Sequence, residues 1–140
     1  YGNTSELVDR ICTALSRRGL KNIRVHNAAT AELSDMITDC LCKDTVIVGS
    51  PTYSGDVFPP VDALVKALEI REIKEKTVGV FGSYTWANSA LGKLTDAFTR
   101  MGCDPAATLA MKQAYSSAMD ADVEAFAGTL AEAINQRRNG

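Results

Sequence analysis

The stretch Thr45-Val46-Ile47-Val48-Gly49-Ser50-Pro51-Thr52-Tyr53 decides the fold. Its first half is a continuous β-branched run without polar alternation, as expected of a parallel strand buried on both faces. Its second half is small, polar and aromatic, so a strand over 45–49 should give way to a loop over 50–60. Thr77-Val78-Gly79-Val80-Phe81 repeats the pattern and runs into Gly82-Ser83-Tyr84-Thr85-Trp86.

Helical spacing fills the intervals. Leu7, Ile11 and Leu15 recur every four residues, and Arg17-Arg18-Gly19 ends that face with cations and a glycine. Ile23-Arg24-Val25 reads as a short strand, and 31–40 as a second helix through Leu33, Ile37 and Leu41. Pro59 and Pro60 open a third helix, since proline is tolerated in a first turn. Residues 88–101 form a fourth, closed by Gly102; 106–111 are a weaker strand, and Asp120 caps a last helix. The polar tail, 136–140, is expected to fray.

This alternation predicts an α/β fold: one domain over 1–140, a three-layer, doubly wound parallel sheet. A fold of this type opens with a strand, so about 5–6 apolar residues are expected ahead of Tyr1, with the chain a fragment of a longer protein. In the strand order 2-1-3-4-5 that strand is central, and its loss would leave Ile23-Arg24-Val25 unpaired.

Composition narrows the function. The 140 residues are 46% hydrophobic and 23% charged, ordinary values for a globular domain. A net charge of −2 gives no basic footprint, so nucleic acid is not an expected partner. No apolar run approaches the roughly 20 residues that span a bilayer, and the start lacks a secretory pattern. The cytoplasm is the expected compartment. Cys12, Cys40, Cys42 and Cys103 with the single histidine, His26, make a closed zinc site hard to assemble, so the cysteines are expected to be reduced and structural.

Three loops fall where open α/β sheets bind ligands, just beyond strand carboxyl ends. Tyr1, Gly2, Asn3 and Thr4 lead into the first helix, whose free N–H groups and partial positive charge suit a phosphate; an ordinary N-cap would carry the same residues. Pro51, Thr52, Tyr53, Ser54 and Gly55 can lay an aromatic along a ring and offer backbone to its edge. Gly55 is the candidate for a peptide that turns its carbonyl toward flavin N5, because glycine lowers the cost of positive φ; it would also serve as a plain turn residue. Ser83, Tyr84, Thr85 and Trp86 complete the set, the lone tryptophan having few apolar neighbours to bury it. A planar ring with a phosphate tail fits all three, and FMN leads.

Tyr1-Gly2-Asn3-Thr4, Ser50-Pro51-Thr52 with Phe58-Pro59, and Phe81-Gly82-Ser83-Tyr84-Thr85-Trp86 resemble the three FMN loops of the flavodoxin superfamily, most closely those of the carboxyl-terminal flavodoxin-like domain of flavodiiron (A-type) flavoproteins. The resemblance runs through the whole chain in order. It implies a flavodoxin-like fold and a phosphate held by Tyr1 to Thr4. It further implies that Pro51 to Gly55 flank the ring and that Ser83 to Trp86 cover its other side. The function implied is electron relay to a redox partner protein or a fused diiron domain, in a homodimer. Tyr53-Ser54-Gly55-Asp56 stands where the family commonly has an asparagine-rich stretch. Asp56 beside the ring would oppose the anionic reduced flavin. Alternatives are a flavodoxin-like quinone reductase, for which 140 residues leave little room, and a phospho-acceptor receiver, which needs an aspartate where this chain has Gly49-Ser50-Pro51.

Overall fold

The computed structural model describes residues 2–53, 55–84 and 88–139. Helices α1 (Gly2–Arg17), α2 (Leu33–Cys42), α3 (Pro59–Ile70), α4 (Ser89–Arg100) and α5 (Asp120–Asn139) alternate with strands β1 (Thr45–Tyr53), β2 (Asp56–Val57), β3 (Thr77–Tyr84) and β4 (Ala107–Lys112). The sheet order is β2-β1-β3-β4. β1, β3 and β4 are parallel, and the short β2 folds back antiparallel on the end of β1.

Alternate residues of β3 show why helices cover both faces. Val78 and Val80 join one core with Leu64, Leu68, Leu94 and Phe98 of α3 and α4. Phe81 joins the other, with Leu7 and Ile11 of α1 and Phe126 and Leu130 of α5. A side chain on Gly79 would meet Leu130 of α5 at 2.9 Å, and one on Gly82 would meet Leu91 of α4 at 3.1 Å. Two glycines thus bring one strand against a helix on either side. The result is the predicted three-layer fold.

Several boundaries differ from expectation. β1 and β3 run through 50–53 and 82–84, because the parallel register continues to Pro51 opposite Ser83 and Tyr84 opposite Lys112. The middle loop is therefore a hairpin. No strand forms at Ile23-Arg24-Val25; this segment lies against α2 through Arg24 and His26 on Asp39, the latter at 2.6 Å. Ile23 and Val25 are exposed, and among the described residues β1 has no strand beside residues 45–51 on the side away from β3. A strand is defined by its neighbour, which this segment lacks among the described residues. The tail does not fray at Gln136, since α5 continues to Asn139. Arg137 donates to the Thr77 hydroxyl at 3.1 Å, and Arg138 grips Asp44 at 3.0 and 3.4 Å.

No described helix is long and apolar enough to cross a membrane. The four cysteines are free, with Cys103 buried, Cys12 and Cys40 half-buried and Cys42 exposed. Burial is the main force pushing the Cys12 and Cys40 thiols above their ordinary range.

Candidate functional site

The parallel register brings the carboxyl tips of β1, β3 and β4 to one edge. Ser50 pairs with Gly82, which pairs with Ala110. Arg10 of α1 lies over the Tyr115 ring, 5.2 Å from its centre, three residues past β4. That contact sets the middle of α1 beside the segment that follows β4. Gly2, Asn3 and Thr4 are already helical, so they form the first turn of α1, whose N–H groups have no partner within the helix.

Ser50 organises the β1 tip. It is wholly buried, donates its hydroxyl to the Pro51 carbonyl at 2.7 Å and accepts the Phe58 N–H at 2.9 Å. The strand is thereby closed onto the start of α3. Beyond it, Thr52 accepts the N–H of Ala90 at 3.4 Å, tying the hairpin to the first turn of α4. Gly55 has φ +76 and open space where a side chain would project, so its backbone conformation rather than crowding calls for glycine.

Asp56 is exposed and engaged. It accepts the Val57 N–H at 2.7 Å and pairs with Lys93 of α4 at 3.0 Å. The Val57 bond, and after it Lys93, hold the Asp56 carboxyl below the usual carboxylate range. Lys93 also reaches the Gly55 carbonyl at 3.5 Å. Sequence reasoning named Gly55 and Asp56 but missed Ala90 and Lys93. Their spacing of three on α4 was visible; what they touch was not.

Of the sequence candidates, Pro51 lies opposite Ser83 at the end of the β1–β3 register, with Thr52 and Tyr84 the next residues of the two strands, Ser83 buried and Tyr84 half-buried. Gly55 sits on the hairpin turn, and the backbone of Gly2, Asn3 and Thr4 in the α1 turn. Tyr53 is placed at the end of β1 by its backbone. Tyr1, Ser54, Thr85 and Trp86 lie outside the described residues.

The arrangement suits a flat ligand with an anionic tail. A helix amino end supplies neutral donors, two adjacent strand tips offer small residues and a tyrosine, and a glycine turn leaves room beside them. Asn88, entering α4, adds a buried Oδ1 that has no hydrogen-bond partner among the described residues. Buried polar atoms of that kind are uncommon, and at a ligand edge such an oxygen can accept from a ligand hydroxyl or N–H.

No family model matches the chain. A protein of Nostoc sp. named diflavin flavoprotein A 4 is 33% identical over 110 residues, covering 74% of this chain and 19% of its own length. The rubredoxin-oxygen oxidoreductase of Megalodesulfovibrio gigas is 28% identical over 113 residues, covering 80% and 26%. The chain thus spans about a fifth to a quarter of the length of such relatives. Among solved structures, rubredoxin oxygen:oxidoreductase from Desulfovibrio gigas superimposes on the whole chain with a TM-score of 0.93 at 22% identity, over 35% of its own length. A flavodoxin from Streptococcus pneumonia matches 94% of this chain and 92% of its own at a TM-score of 0.79 and 23% identity.

Proposed function

We propose that this chain, a flavodoxin-like domain similar to that of the A-type flavoproteins, binds FMN at the carboxyl edge of its sheet and serves electron transfer. The carrying observation is the β1 tip tied to the start of α3 through Ser50 and Phe58 and to the first turn of α4 through Thr52 and Ala90, in register with the tip of β3. FMN, when bound, supplies the electron-accepting chemistry; the chain supplies position and charge. The N–H groups of the α1 turn would hold the phosphate. The hairpin from Pro51 to Gly55 would flank the ring on one side and Ser83 to Trp86 on the other. Ser50 keeps the hairpin closed against α3, so that its backbone meets the ligand already ordered.

The finer reading is that the electrons pass to a diiron centre, in a fused domain or a separate redox protein. It is supported by the likeness to a rubredoxin oxygen:oxidoreductase and to a flavodiiron core from Synechocystis, each about three times as long as the matched region. Titrating the purified chain with FMN tests the cofactor reading. Quenching of flavin fluorescence at one equivalent is the expected outcome; a well-folded chain that leaves the fluorescence untouched overturns it.

A further inference from the structure

The hairpin turn at Gly55 and Asp56 is exposed, yet two of its groups converge on one ammonium. Lys93 Nζ stands 3.0 Å from Asp56 Oδ1 and 3.5 Å from the Gly55 carbonyl. Ala90, one helical turn earlier on the same face of α4, gives its N–H to Thr52. The beginning of α4 therefore grips the hairpin at two points, just after the third loop. The charges around the turn are unevenly matched. Lys66 is held by Asp62 at 2.8 Å and Arg100 by Glu69 at 3.4 Å. Asp56 and Asp96 line the same cleft between α3 and α4, and Lys93 is the cation in contact with Asp56.

We propose that Lys93 is a positioning residue of the FMN site: it fixes the direction of the Gly55 carbonyl and neutralises Asp56, so that the turn does not disfavour the reduced, more negative form of the ligand. This rests on the FMN reading. Asp56 alone would repel added negative charge on a neighbouring ligand, whereas the Asp56–Lys93 pair presents none in net. The Gly55 carbonyl, drawn toward Lys93, is kept as an acceptor of set direction at a residue whose backbone could otherwise swing freely.

The test compares Kd for oxidised and for anaerobically reduced FMN in the full chain and in K93Q, K93R, D56N and the K93Q/D56N double variant. K93Q is expected to weaken the reduced form by about two- to five-fold more than the oxidised form, the range of an exposed ion pair. K93R should restore the ratio, and D56N should cancel the loss in the K93Q background. Without FMN, NMR titration of the Asp56 carboxyl should move upward in K93Q and stay in place in K93R. An equal weakening of both forms would mean a structural latch and overturns the inference while leaving FMN binding intact. A parent chain that takes up FMN in neither form removes the FMN reading and this inference together.

Discussion

At Gly49 the β1 backbone passes directly beneath the Phe81 ring of the neighbouring strand. A methyl group built there would sit 2.0 Å from two ring carbons. The ring is 6% exposed and belongs to the core beneath α1 and α5, so it has little room to retreat. Gly49→Ala should therefore cost about 1–3 kcal/mol, the usual range for overpacking, seen as a lower urea midpoint at unchanged m-value. A neutral substitution would mean that the ring swings aside easily and is not a fixed part of the core. Ser50, the next residue, carries the opposite kind of constraint: a buried hydroxyl with two backbone bonds, whose geometry shapes the site from below.

Among the elements, α5 ends in two arginines that tie it to distant parts of the chain. Arg138 and Asp44 form a forked pair, and the Arg138 guanidinium is the first cause holding the Asp44 carboxyl below the usual carboxylate range, with Thr45 adding a further bond. A depressed carboxyl contributes stability that is fully present above its unfolded value of about 4 and lost as the pH falls through the folded value. Arg138→Gln should accordingly lower the urea midpoint slightly at pH 7, the exposed pair being screened by solvent. The difference should vanish once Asp44 is protonated. Urea midpoints at neutral and at strongly acidic pH check this, and a deficit that persists in acid would point to packing instead.

Elements with strong local signals were legible in sequence: the β-branched runs of β1 and β3, the proline start of α3, the glycine ends of α1 and α4. Gly19 and Gly102 both have φ +83, as those endings require. What could not be read is set by distant contacts. Ser50–Tyr53 is strand because of its partners in β3 and β2, and the last turn of α5 survives because Arg137 and Arg138 reach the starts of β3 and β1. Ile23-Arg24-Val25 has strand composition without a strand beside it.

For the whole molecule, protection should follow the sheet order. β3 is flanked by β1 and β4, and its residues from Thr77 to Ser83 are buried. Native-state hydrogen exchange should find its amides the slowest in the chain, those of β4 and β1 faster, and those of 21–27 fastest outside the turns. Equal protection in β1 and β3 would mean that something covers the far side of β1. The site, too, was half legible at this scale. Its strand tips were visible as loops after apolar runs, but Ala90 and Lys93 belong to a helix, and Asn88 to its entry, whose placement over the hairpin is tertiary.

Beside residues 45–51 the backbone amides and carbonyls that do not face β3 have no strand partner among the described residues, leaving a rim of unspent bonding capacity. Such a rim is indifferent to sequence: any extended segment can zip onto it rung by rung, whether from the same polypeptide or a neighbour.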